Sequence, residues 1–312
     1  MVGTADGLVE LAADGTELRR ALPGVQVDAV SGDWAVAEGR VVALRTGATV
    51  ELPAGLQARC VLAGTGGRAL VGTSKAHLLQ VGPDRGPVAD GAFEAIAGRQ
   101  AWMSPWGGPP DVRSVTAGPD GPVVGVYAGG VWRPEGDRWV EAVPTAAEAM
   151  QVVARGKVVA VAAGMGIGQS TDGGRSWDWR DDGLHASFCR AVAITERWLV
   201  VAASAGPGSR RSALYRRPVD DASRSFTPCG DSGKDDLPEA FNHVVDTFEL
   251  AGSGERVAVG TPSGCLYLSE DGGSTFNLVT DGLPGVSCVE LRADAPSAGS
   301  GAKNTTNGAT RR

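Results

Sequence analysis

Three arginines stand at one repeated place in the chain. Each lies two residues before a valine, in Arg59-Cys60-Val61, Arg113-Ser114-Val115 and Arg190-Ala191-Val192. A guanidinium presents a planar fork of N–H donors that fits a carboxylate or phosphate bidentately. Aligning every segment that ends in x-x-Val adds Asp28, Gln151, His243 and Ser287, giving one residue per repeat. If the repeats converge on an axis, the arginines focus an anionic ligand or an acidic peptide there. His243 adds a group that titrates near neutrality. The competing reading is that each arginine is solvated or paired with a nearby loop acid such as Asp111.

Other chemistry-bearing residues are sparser. Trp102 and Trp106 sit beside Pro105 and Pro109 in an over-long connection, placed to stack a sugar or anchor a partner. Packing of that loop against its neighbours is the alternative. Asp181, Asp182, Asp235, Asp236 and Glu239 fall in loops and supply the acids that paired-carboxylate hydrolysis needs. His77 and His185 have no ligand-like neighbours in sequence, so no metal is expected. No cofactor is implied. The glycine run Gly164-Met165-Gly166-Ile167-Gly168 joins strand to strand, so it cannot cradle phosphate at a helix start.

What must position these residues is a repeat. A short apolar–Pro/Gly punctuation recurs at Leu22, Leu56, Ala92, Val143, Leu184, Leu237 and Leu283. The markers lie roughly 34–53 residues apart, bracketing the spacing of a four-stranded propeller blade. Each is followed by short β-branched runs separated by glycine turns. No segment sustains a 3.6-residue apolar period over three turns. The expectation is all-β: a seven-bladed β-propeller over residues 1–292, with six or eight blades as alternatives. The chain opens on a second strand, Val2-Gly3-Thr4, and ends on an orphan first strand near Val286. Pairing those two closes the ring and removes free sheet edges. Residues 293–312 are small, polar and aperiodic, and are expected to be a disordered tail.

The most specific motif is Ser170-Thr171-Asp172-Gly173-Gly174-Arg175-Ser176-Trp177, repeated as Ser269-Glu270-Asp271-Gly272-Gly273-Ser274-Thr275-Phe276. Both fit S-x-D-x-G-x-[ST]-[WF], with degenerate copies near Asp14 and Asp137. The motif resembles the Asp-box, or bacterial neuraminidase repeat. Asp172 and Asp271 then read as hairpin clips, because they recur from blade to blade whereas an active site occurs once. The resemblance implies a propeller of the group that includes sialidases, other glycoside hydrolases, receptor domains and a photosystem II assembly factor. A sialidase also needs an early Arg-Ile-Pro motif, which is missing here; the nearest fragment is Arg216-Arg217-Pro218. The function expected is non-enzymatic binding of a ligand or protein at the channel mouth. A glycosidase-like hydrolase or lyase is the alternative.

Composition bounds these readings. The 312 residues include 46 glycines, about twice the ordinary share. With a hydrophobic content of 42% the chain can build a core, and the net charge of −7 disfavours a nucleic-acid partner. No apolar run approaches the roughly 18 residues of a membrane helix, and no secretory signal opens the chain. A cytoplasmic monomer is expected. The five cysteines are odd in number and widely spaced, and are read as reduced thiols.

Overall fold

The computed structural model describes residues 1–82, 85–104, 107–231 and 234–292. Trp106 and the tail at 293–312 lie outside them. The described chain forms seven four-stranded antiparallel sheets arranged as the blades of a β-propeller. Short β-branched runs on glycine turns leave each sheet with two apolar faces, and neighbouring sheets bury them against each other. The core therefore lies between blades. One such layer joins Val61, Val71 and Leu79 of blade three to Ala29, Trp34, Val36 and Val41 of blade two.

The ring closes as expected. Val286–Val289 joins Val2–Thr4, with Val2 opposite Val289 and Gly3 opposite Cys288. The amino terminus adds a bond to the Glu290 carbonyl at 3.0 Å, and the Glu290 amide returns one to Met1 at 2.9 Å. Blade one is thus built from both ends of the propeller. Glycine is required at position 3, because a Cβ there would lie 2.3 Å from Cys288 Sγ and 2.7 Å from the Val27 carbonyl oxygen.

The two motif hairpins have matching bonds. Asp172 Oδ1 accepts from the amides of Arg175 and Ser176, both at 2.9 Å, and Oδ2 accepts from the Ser176 hydroxyl at 2.6 Å. Asp271 Oδ1 accepts from the amides of Ser274 and Thr275 at 2.9 Å, and Oδ2 accepts from the Thr275 hydroxyl at 2.8 Å. The Ser170 and Ser269 hydroxyls each accept the amide of a glycine four residues on, at 2.8 Å. These hairpins join third to fourth strands. In an antiparallel blade that end is opposite the one where the first strand begins, so both aspartates are on the far face from the channel mouth.

The over-long connection between blades three and four carries a one-turn helix, Gly91–Glu94, and a 3-10 turn, Arg99–Ala101. Trp102 follows and is only 8% exposed, packed on Phe93 and Trp132. It is a core residue and offers no exposed face for a sugar or partner. Its indole fills the space over Gly129, where a Cβ would come within 2.9 Å of it.

Candidate functional site

The innermost strands line the axis. Six of the seven carry a β-bulge at one level: at Asp28, Arg59, Arg113, Met150, Arg190 and Ser287. A bulge leaves one residue unpaired and re-aims its side chain. In every case this occurs near the strand start, so the unpaired residues form a ring at one channel mouth. Arg59, Arg113 and Arg190 occupy three of these bulge positions.

Two ring positions differ from the sequence alignment. Gln151 is one residue beyond the bulge and is buried at 4% exposure, with its Oε1 accepting the Val192 amide of the next blade at 3.0 Å. It ties blade five to blade six, and Met150 takes the ring position instead. Two consecutive valines, Val152 and Val153, made the alignment ambiguous by one residue. In blade seven the inner strand is Leu250–Ser253, well after His243. Leu250 faces Val259, and the Gly260 amide bonds the Glu249 carbonyl at 2.9 Å. That register puts Phe248 in the seventh ring position. Sequence offered no sign of it, because this strand lacks the x-x-Val ending.

Phe248 has φ of 72°, a left-handed conformation rare for a bulky side chain. Holding it costs on the order of 1–3 kcal/mol. Its side chain packs against three core clusters, which contain Val27 and Leu8, Ala58 and Val61, and Val112 and Val126. Those residues belong to blades one to four, so the ring reaches across the axis from blade seven.

The charges at the mouth are interlocked. Arg59 Nε and Arg113 Nη2 lie 3.5 and 3.8 Å from the same Asp111 oxygen. Arg190 Nε lies 3.0 Å from Asp246 Oδ1. Arg113 also stacks on the Tyr127 ring at 4.1 Å and donates to Met150 Sδ at 3.2 Å. Burial, then repulsion from Arg190, lowers the Arg113 pKa, so the two guanidiniums share one field. His243 Nε2 is 3.7 Å from Glu249, whose pKa is raised by burial. His243 meets Glu249 from the loop before the strand and not from the strand itself.

Four of the five loop acids weighed for hydrolysis have partners, Asp182 being the fifth. Asp235 Oδ2 accepts the amides of Asp231 and Phe276, and Asp236 Oδ2 accepts that of Leu278. Asp181 accepts the Ser187 hydroxyl, and Glu239 pairs with Arg211. Among the described residues no group of three or more His, Cys, Asp or Glu could hold a metal ion. Burial pushes the thiols of Cys60, Cys189 and Cys288 up to about 12. No helix among the described residues is long and apolar enough to cross a membrane.

Fold and mouth together define a seven-bladed β-propeller with a charged axial ring. Solved structures share the architecture. The computationally designed Ika8 protein matches with a TM-score of 0.56 at 14% identity, over 94% of this chain and 91% of its own. A GH74 xyloglucanase from Xanthomonas campestris matches at 0.51 and 14% identity, over 89% of this chain and 46% of its own. This chain therefore spans less than half of that enzyme. The Pan2 WD40 domain of Neurospora crassa matches at 0.51 and 9% identity, over 81% of this chain and 78% of its own. These likenesses concern fold. No family model and no curated protein matches the chain.

Proposed function

We propose that this propeller is a binding module that takes a carboxylate-bearing ligand, foremost an acidic peptide of a partner protein, at the arginine mouth. The supporting observation is the placement of Arg59, Arg113 and Arg190 on equivalent bulges, with Asp111 and Asp246 as their ion-pair partners among the described residues. Arg190 lowers the Arg113 pKa, after burial and against the opposing effect of Asp111 and Asp246, and an added anion would favour the charged guanidinium. Met150 and the Tyr127 ring hold the Arg113 guanidinium from its apolar side. The fold is shared by a hydrolase and a WD40 domain and does not choose between catalysis and binding. Binding is favoured because four of the five loop acids weighed for hydrolysis, Asp181, Asp235, Asp236 and Glu239, are tied to backbone amides, a hydroxyl or an arginine. Trp106 and a cytoplasmic setting remain part of the proposal.

The test is a calorimetric titration of a Glu-rich peptide into the native protein and into the triple variant Arg59→Gln, Arg113→Gln, Arg190→Gln. The expected result is loss of at least about tenfold in affinity, since charge-assisted bonds contribute about 1.5–3 kcal/mol each. Equal affinity would remove the arginines from the account.

A further inference from the structure

The arginine mouth is already occupied by the chain itself. Residues 241–249 end the connection from the last strand of blade six, Thr227–Pro228, to the inner strand of blade seven, Leu250–Ser253, and reach Arg190 on the way. The segment is anchored at its start by Phe241, which exchanges backbone bonds with Ser212 at 2.7 and 3.1 Å. Phe241 also packs edge-on against Tyr267 and against His243. Between the anchor and the strand, three consecutive residues engage the mouth. The Asp246 carboxylate meets Arg190 Nε at 3.0 Å. The Thr247 hydroxyl donates to the Arg190 carbonyl at 3.2 Å. Phe248 projects into the channel against blades one to four, and its carbonyl accepts the Val289 amide at 2.8 Å.

These contacts are those of a bound peptide. A carboxylate sits on a guanidinium, a hydroxyl reads a backbone carbonyl, and an aromatic side chain fills an apolar hole. The backbone at Phe248 is held in a left-handed conformation to make the last contact. Asp246 is also imperfectly seated: Arg190 Nε is buried with no hydrogen-bond partner, although the carboxylate oxygen is near it. Asp246 keeps an independent tie, accepting the Thr247 amide at 2.7 Å, and its own amide donates to Glu249 at 2.8 Å. Asp246 and Thr247 can therefore leave the arginine while Phe248 and Glu249 keep their backbone bonds to Val289 and Gly260.

We propose that residues 242–247 are an internal ligand mimic, an autoinhibitory strap hinged on the fixed Phe248 and displaced by a partner peptide that brings its own carboxylate to Arg190. This rests on the mouth being a binding site, and it specifies both the partner's chemistry and how access is controlled. While the strap is seated, a ligand's apparent affinity is reduced by the fraction of molecules with an open mouth. Weakening the strap's hold without touching the arginines therefore raises affinity.

The experiment uses two fluorescein-labelled probes on the full chain. One reproduces residues 242–247; the other is the Glu-rich peptide. Binding is read by anisotropy for the native protein and for Asp246→Asn. Asparagine preserves the acceptor for the Thr247 amide, so that variant retains the loop's own fold. Hydrogen exchange of the 245–247 amides is followed in parallel. The expected outcome is at least about tenfold tighter binding of the strap peptide by Asp246→Asn than by the native protein, with faster exchange of the strap when either peptide binds. If the Glu-rich peptide binds the native protein while Asp246→Asn gains nothing and the strap stays protected, the mimic is refuted and the binding reading stands. If neither peptide binds any form, both are refuted.

Discussion

Asp172 shows how one side chain holds a turn. The Ser176 hydroxyl and amide, with Ser170 and the Arg175 amide, hold its carboxyl well below the usual carboxylate range, against a small opposing effect of burial. A depressed carboxyl stabilises the fold above its unfolded value of about 3.9, and that contribution is lost as pH falls through the lower folded value. Asp172→Asn is expected to lower stability at pH 7 by about 1 kcal/mol, a figure kept small because the hairpin is at the surface. Denaturant unfolding between pH 2 and 7 checks this: the variant's acid limb should be flatter than the native one. Gln151 acts from inside. Its carbonyl oxygen is the acceptor for a buried amide of the next blade, so Gln151→Leu orphans the Val192 N–H. A loss of about 1–3 kcal/mol is expected by chemical denaturation. An unchanged midpoint would mean the amide finds another partner.

At the scale of elements, the closing strand pair decides whether seven blades act as one body. Gly3 is its tightest contact, with a Cβ at that position overlapping Cys288 and the Val27 backbone. Gly3→Ala is expected to cost about 1–3 kcal/mol by overpacking. Gly282→Ala, where nothing lies within 4 Å, is the control and should stay within about 0.5 kcal/mol. Thermal unfolding of both variants distinguishes a strained closure from a general intolerance of side chains at glycine. This level of structure was the most legible in the sequence. Strand runs, glycine turns and the orphan strand near Val286 are local signals, and local signals survive in one dimension. Register within a strand is not local in that sense. The bulge that puts Met150 rather than Gln151 on the ring depends on pairing with the neighbouring strand, and two adjacent valines hid it. Phe248 escaped notice because its strand carries no valine at the expected offset. For Trp102 the length of its loop left exposure and packing both open, and the structure shows packing, with the indole buried against Phe93 and Trp132.

For the whole molecule, the fold converts seven separate strand starts into one site. Arg59, Arg113 and Arg190 are about 54 and 77 residues apart along the chain, and only closure of the ring brings them to a common mouth. The motif aspartates, conspicuous in the sequence, are carried to the opposite face by the same geometry. The negative overall charge of −7 therefore coexists with three guanidiniums near one mouth, paired there with Asp111 and Asp246. The measurement that tests this most directly is a crystal structure of the protein with the Glu-rich peptide bound. The account predicts a peptide carboxylate between Arg113 and Arg190 at the channel mouth, with Asp246 drawn away from Arg190. A peptide seated on the hairpin face or the outer blade edges, with the Arg190–Asp246 pair intact, would contradict it.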